Sequence, residues 1–147
     1  MPTKKPSGTR SAASYSSKPP EPLSVFLDES LDSDSIAQAL TDAGVTVERL
    51  TRHFPKGTPD GRWLAFAGGK GWIVLTRDKR IRYRRLERLA LQAANVRAFV
   101  FTGGNVTLAE TAAILARSVR HMEVVCVRDR GPFLYHIGLA GKPRRMD

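Results

Sequence analysis

The sequence predicts an α/β protein with a central, mostly parallel sheet of five strands and helices on both faces, an α/β/α arrangement of three layers. Two observations predict it. Short apolar runs alternate with longer segments of helical periodicity, in the order β-α-β-α-β-α-β-α-β. The run "WIVLT" is continuously apolar, which is typical of a strand covered on both faces. Such alternation indicates a parallel sheet flanked by helices.

Two strands and two helices are predicted before residue 72. The apolar run at 23–28 and the β-branched run at 45–50 are typical of strands. The segment between them starts with the helix-capping residues "DSD" and ends at Gly44, as a helix does. A loop rich in proline and glycine follows at 51–59. Its last residues, "TP", suit the start of a second helix that ends at a group of glycines.

Three more strands are predicted at 72–76, 96–102 and 133–140. The helix between the first two should present an apolar stripe made by Leu86, Leu89, Ala90, Ala93 and Ala94. The helix between the last two should be long and should start at a capping box formed by Thr107 and Glu110. Its apolar stripe consists of Leu108, Ala112, Leu115, Val119, Met122 and Cys126.

Composition divides the chain into three parts and favours some classes of binding partner over others. Residues 1–22 are rich in Ser, Pro and Lys and are expected to form a disordered basic tail, followed by one domain at 23–141 and a short tail at 142–147. The net charge of +10 favours nucleic acid over anionic lipid or an acidic protein. A single cysteine, no signal-peptide run and no apolar stretch near membrane-spanning length favour a cytoplasmic protein without a membrane partner.

Polar side chains follow several of the predicted strands. Asp28 closes the first strand, Asp78 follows the third and Asn105 follows the fourth, so a parallel sheet places them at one edge. Asp60 starts the second helix and reaches the same edge only if its loop folds back. Carboxylates that share a cleft repel one another, and a hard divalent cation relieves the repulsion. The pattern therefore predicts a site for Mg²⁺ or Mn²⁺ held by Asp28, Asp60, Asp78 and Asn105.

A basic run follows Asp78 directly. The cations between residues 77 and 88 are Arg77, Lys79, Arg80, Arg82, Arg84, Arg85 and Arg88. Contacts of this kind position a phosphate backbone without reading its sequence. We expect Lys79, Arg80, Arg82 and Arg85 to bind the backbone of a nucleic acid on which the metal acts. Tyr83, which lies among them, can stack on an exposed base.

The segments "VFLDESL", "FPKGTPDGRWL", "WIVLTRDKRI" and "AFVFTGGNVT" together resemble the PIN-like domain family, in its short VapC-toxin-like branch. The similarity covers most of the chain from Leu23 to Leu139 in the family's order. It implies a three-layer α/β/α fold around a parallel sheet. It also implies a metal-dependent endoribonuclease, often the toxin of a toxin–antitoxin pair, so an antitoxin protein joins RNA as an expected partner. A homodimer is a further expectation.

The resemblance also implies roles for individual residues. Asp28 matches the first-strand acid of the family, Asp60 the acid at a helix start, and Asp78 the acid after the third strand, with Thr76 as its supporting hydroxyl. The chain departs from many members at Asn105, where they carry a further acid, because an amide oxygen can ligate Mg²⁺ but brings no charge. The acids that could substitute for that charge are Glu29 and Glu48.

Two other functions compete with the nuclease. A catalytically silent PIN-like module that binds RNA or protein is compatible with the missing acid at position 105. A receiver-like phosphoacceptor domain would use Asp28 and Glu29 as its acid pair, with Thr102 and Lys142 contacting the phosphoryl group. Lys142 lies far along the chain from Thr102, which weakens this reading. Metal-dependent cleavage of RNA would separate the enzyme from both.

Overall fold

The structure is a computed structural model and describes residues 22–146. The expected basic tail therefore lies outside the described residues, apart from Pro22. The strands are β1 Ser24–Leu27, β2 Thr46–Arg49, β3 Ile73–Thr76, β4 Arg97–Phe101, β5 Phe133–Ile137 and β6 Pro143–Arg145. The α-helices are α1 Asp34–Asp42, α2 Asp60–Lys70, α3 Arg85–Ala93 and α4 Leu108–Arg128. Short 3-10 helices occupy Leu50–Arg52 and Lys79–Arg82.

The sheet has the order β2-β1-β3-β4-β5-β6, and all neighbours pair in parallel except β5 and β6. The prediction of a mostly parallel α/β fold is confirmed, but the count of five strands is wrong by one. Residues 142–147, expected as a tail, contain the antiparallel edge strand β6, in which Arg144 pairs with His136. Its sequence, "PRR", has no apolar alternation that would predict a strand, and proline is tolerated there because the strand is at the edge.

Alternating side chains of the strands point into two separate cores. Val25 and Leu27 of β1 contact the core under α1 and α4, whereas Phe26 belongs to the core under α2 and α3. The side chains of β3 are divided in the same way, since Leu75 and Val74 point to opposite faces of the sheet. A parallel sheet covered on both faces explains why these strands are continuously apolar in sequence.

Local capping signals place the ends of three helices. Ser33 accepts a hydrogen bond from the backbone N–H of Ile36 at the start of α1, and Gly71 ends α2 in the left-handed conformation. At the start of α4, Thr107 and Glu110 form the predicted capping box, with both reciprocal hydrogen bonds present. The caps of α1 and α4 fix where these helices begin relative to the strand before them, and Gly71 fixes where α2 ends before β3.

Only part of the apolar stripe predicted for α3 faces the core. Leu86 is 77% exposed and Leu89 is 50% exposed, while Leu91 is the buried residue of this helix. The reason is that α3 contacts the sheet only near its end, where Leu91 and the partly buried Ala90 and Ala94 meet the core under α2 and α3. Its outward stripe is therefore an exposed apolar surface.

No helix within residues 22–146 is both long and apolar enough to cross a bilayer.

Candidate functional site

An open cleft of about 600 Å³ lies at the carboxyl ends of β1 and β3. It is lined by Asp28, Glu29, Ser30, Asp60, Arg77, Asp78, Lys79 and Arg80. The structure thus brings the three acids singled out from the sequence to one cleft, together with the first three cations between residues 77 and 88. The loop before α2 does fold back to the sheet edge, where the backbone N–H of Gly57 lies 3.4 Å from Glu29 Oε1.

Asp28 is the most buried acid of the cleft, with 7% of its surface exposed. Its backbone continues the β1–β3 ladder by donating to the carbonyl oxygen of Leu75 at 3.2 Å, which fixes the side chain at the end of the strand. Its Oδ1 accepts hydrogen bonds from the backbone N–H and the hydroxyl of Ser30, and its Oδ2 accepts one from the hydroxyl of Thr76. Burial without a paired cation is costly for a carboxylate.

Burial raises the pKa of Asp28 from 3.8 to about 6. The neighbouring charge of Asp60 acts in the same direction and is the smallest of the causes. Hydrogen bonds from Ser30 and Thr76 act against the increase because they stabilise the ionised form. The cleft therefore contains a carboxyl group whose ionised form is destabilised by burial. Carboxyl groups with a pKa raised in this way are common at functional sites.

Two hydroxyl groups connect the Asp28 carboxylate to the backbone that follows β3. The buried Thr76 hydroxyl donates to Asp28 and accepts from the backbone N–H of Asp78 at 3.1 Å. The Ser30 hydroxyl donates to Asp28 and accepts from the backbone N–H of Arg77 at 2.8 Å. Sequence reasoning missed Ser30. The signal was present, because a serine two residues after an aspartate at a strand end suits a local turn closed by the carboxylate.

Asp78 caps the 3-10 helix that carries the first part of the basic run. Its Oδ1 accepts from the backbone N–H of Arg80 at 3.0 Å, and the Arg80 guanidinium lies 3.5 Å from the same oxygen. Its Oδ2 accepts from Arg84 Nη1 at 2.6 Å. An acid at the end of an apolar strand thus starts the turn that arranges the cations around the cleft. Lys79 and Arg80 are exposed at its edge.

Asp60 is the first residue of α2, and its side chain contacts Trp63 of the same helix and Arg84, which is distant in sequence. Oδ1 accepts from the indole N–H of Trp63 at 3.1 Å, and Oδ2 lies 3.7 Å from Arg84 Nη1. Arg84 therefore lies between Asp60 and Asp78. Sequence reasoning gave Arg84 no role, because nothing in a run of seven cations distinguishes the one that turns inward.

Several predicted residues lie away from the cleft. Asn105 is exposed in the loop after β4 and does not line it. Arg82 lies over the ring of Tyr83 at 4.5 Å and faces another cavity, and Arg85 is exposed on α3. Glu48 contacts His53 at 3.0 Å, so of the two acids considered as substitutes for Asn105 only Glu29 lines the cleft.

The oxygen donors of the cleft match a hard cation in kind, but the present arrangement does not form a finished site. Carboxylate and hydroxyl oxygens are the ligands that Mg²⁺ and Mn²⁺ prefer. Within residues 22–146, no three His, Cys, Asp or Glu side chains lie together closely enough to hold one ion. Arg84 pairs with two of the three acids instead. The donor set therefore fits a divalent ion, provided that Arg84 moves aside.

Comparison with known proteins places the fold and the cleft in a family. A family model described as a PIN-like domain matches residues 23–103, more than half of the chain, and includes all three acids. "Putative ribonuclease VapC45" of Mycobacterium tuberculosis (strain ATCC 25618 / H37Rv) is 29% identical over 119 residues, which cover 77% of this chain and 84% of that protein. No solved structure matches the chain. The chain belongs to the PIN-like domain family.

Proposed function

We propose that the chain is a metal-dependent endoribonuclease that hydrolyses phosphodiester bonds of RNA. The observation that carries the proposal is the buried Asp28, which shares one cleft with Asp60 and Asp78 beside the exposed cations Lys79 and Arg80. A relative whose name describes it as a ribonuclease supports the choice of reaction. The positive net charge of the chain supports RNA as the substrate.

In the proposed reaction, some residues of the cleft would bind the metal ion and others would orient its ligands. Asp28, Asp60 and Asp78 would hold Mg²⁺ or Mn²⁺, which when bound activates water and stabilises charge on the phosphate. Thr76 and Ser30 would keep the Asp28 carboxylate oriented through the hydrogen bonds already present. In this scheme Asn105 has no contact with the cleft in its present position and would contribute only if its loop moved.

Removal of the divalent ion is expected to stop cleavage. The chain should cut single-stranded RNA in the presence of Mg²⁺ or Mn²⁺, and EDTA should reduce the rate at least about 100-fold, because no ion would remain to activate water and stabilise charge on the phosphate. Product formation from a 5′-labelled RNA on a denaturing gel is the measurement. Addition of Mg²⁺ in excess over the EDTA is the control and should restore the rate. Cleavage that persists in EDTA would contradict the metal requirement.

Lys79 and Arg80 are expected to bind phosphate groups at the edge of the cleft. Alanine at either position should weaken RNA binding at all sequences alike and reduce the slope of log K against log salt by about 0.7 per lost contact. Fluorescence anisotropy with an inactive Asp28→Asn background measures it. Arg120→Ala removes one charge from α4, outside the cleft, and serves as the control. An equal change of slope in that variant would show only a non-specific charge effect.

The outward surface of α3 supports a protein partner. Tyr83, Leu86 and Leu89 are 69%, 77% and 50% exposed and lie beside the exposed Arg85 and Arg88. An acidic, amphipathic segment complements such a surface, which agrees with a toxin that an acidic antitoxin neutralises. A homodimer through this helix would bring the same arginines face to face, so it is the weaker alternative. A cytoplasmic location is part of the same proposal.

A silent PIN-like binding module is the second candidate, and one observation favours it. Arg84 pairs with Asp78 and lies near Asp60, which is how a fold that has lost its metal would balance those charges. The cleavage experiment with and without metal separates the two. The receiver-like alternative has less support, because neither Thr102 nor Lys142 lines the cleft.

A further inference from the structure

The guanidinium of Arg84 lies among three carboxylates. Its Nη1 is 2.6 Å from Asp78 Oδ2 and 3.7 Å from Asp60 Oδ2, and its Nε is 3.7 Å from Glu87 Oε1. The Arg84 side chain is only 37% exposed although it lies in a strongly basic run. Arg84 is therefore the cation that contacts both Asp60 and Asp78, whereas Arg80 reaches only Asp78.

Arg84 and a divalent ion would compete for the same oxygens. Mg²⁺ binds carboxylate oxygens at about 2.0–2.1 Å, whereas Asp78 Oδ2 already accepts a hydrogen bond from Arg84. Two cations held at one oxygen repel each other strongly at such short distances. An ion that binds Asp78 and Asp60 must therefore displace the guanidinium at least partly.

Glu87, which is already 3.7 Å from Arg84 Nε, can accept the displaced guanidinium in a closer contact. It lies one turn after Arg84, at the start of α3, and its Oε1 is buried without a hydrogen-bond partner. A buried carboxylate oxygen without a hydrogen bond is costly, and positions three residues apart near a helix start are neighbours. A shift of the guanidinium by about 1 Å would give this oxygen the charge-assisted hydrogen bond of normal length that it lacks.

We propose that Arg84 is an internal counter-ion with two positions. It holds Asp60 and Asp78 when no divalent ion is bound, and it turns to Glu87 when an ion occupies Asp78. The proposal rests on the proposed function for the identity of the competing cation. It assigns to Glu87 a role that sequence reasoning did not find: it receives Arg84 and so makes room for the ion without ligating it.

Removal of the Arg84 charge is expected to strengthen metal binding. Titration of Mn²⁺ followed by electron paramagnetic resonance should show Arg84→Gln binding about three- to tenfold more tightly than the parent chain, a modest gain because the ion pair is partly exposed to solvent. The Mn²⁺ affinity of Arg84→Lys should lie between those of the parent chain and Arg84→Gln. Arg85→Gln removes the same charge from the neighbouring exposed position and should change the affinity less than about twofold.

Glu87→Gln tests the second position. It should weaken Mn²⁺ binding in the chain that carries Arg84, because the amide oxygen of glutamine accepts a hydrogen bond without the charge that attracts the displaced guanidinium, and it should have no effect in the Arg84→Gln background. This non-additivity distinguishes a receiving group from a metal ligand, which would matter in both backgrounds. Thermal unfolding confirms that each variant is folded. Should Arg84→Gln not fold, Arg84→Lys and Glu87→Gln carry the same test.

Each outcome decides between the readings. Equal or weaker Mn²⁺ binding by Arg84→Gln, or an equal gain in Arg85→Gln, would overturn the proposed competition. Failure of every protein to bind Mn²⁺ would overturn both this inference and the metal centre of the proposed function. Tighter binding in Arg84→Gln without any RNA cleavage would support the counter-ion and remove only the nuclease activity.

Discussion

Asp28→Asn is expected to abolish metal-dependent RNA cleavage and to make the metal-free protein more stable at neutral pH. The amide keeps the shape of the side chain and can still accept from Ser30 or Thr76, but it carries no charge to attract an ion. Loss of a direct ligand should lower activity more than the 10- to 100-fold typical of groups that only support a ligand, so we expect a decrease of about 1,000-fold. The same change removes the cost of a buried charge.

The stability effect has a defined dependence on pH. The pKa of Asp28 is raised from 3.8 to about 6, chiefly by burial, so the folded chain favours the protonated carboxyl more than the unfolded chain does. This contribution to stability is fully present below about pH 4 and is lost as the pH rises through about 6. A shift of this size corresponds to at most about 3 kcal/mol. Asp28→Asn should therefore be about 1–3 kcal/mol more stable at pH 8 and no more stable at pH 4.

Urea unfolding of the metal-free proteins at pH 4, 6 and 8 measures this difference, and the RNA assay measures the activity. Asp42→Asn is the control, because an exposed acid should give neither effect. Addition of Mn²⁺ at pH 8 should stabilise the parent chain and leave the Asp28→Asn chain nearly unchanged. An Asp28→Asn protein that is less stable than its parent at pH 8 would show that the hydrogen bonds of the carboxylate outweigh its burial.

The parts of the fold that follow from local rules could be predicted from sequence. The parallel sheet follows from continuous apolar strands, and the starts of α1 and α4 follow from Ser33 and the Thr107–Glu110 capping box. The grouping of Asp28 with Asp78 follows as well, because each comes directly after a strand and parallel strands end at one edge of a sheet. Topology converts positions far apart in sequence into one cleft.

The parts that depend on side-chain direction could not be predicted. Leu86 and Leu89 have the spacing of a buried stripe, but α3 meets the sheet only through its far end. Arg84 cannot be distinguished from its neighbours by charge or spacing, and its inward orientation is decided by acids on two other segments. The edge strand β6 forms through backbone pairing with β5, for which residue type is a weak signal.

Gly68→Ala is expected to destabilise the protein by about 1–3 kcal/mol, although alanine normally favours a helix. Gly68 lies in α2 where the helix passes the start of β4, and a Cβ there would lie 2.5 Å from the carbonyl oxygen of Ala94 and 2.9 Å from Val96 Cγ2. A backbone carbonyl cannot yield as a flexible side chain can, so α2 must move away from the segment that joins α3 to β4. Asp60 would move with it, because it is the first residue of the same helix.

Gly69→Ala is the matched control, since a Cβ at the next position of α2 meets nothing within 4 Å. This variant should be about 0.5–1 kcal/mol more stable than the parent, from helix propensity alone. Opposite shifts of the unfolding midpoint in the two variants would show that close packing of α2, rather than glycine flexibility, is what position 68 requires. Mn²⁺ affinity gives a second readout: displacement of Asp60 should weaken it in Gly68→Ala and leave Gly69→Ala unchanged. Stabilisation by both alanines would mean that α2 has room to move at no cost, and that its packing does not position the acid.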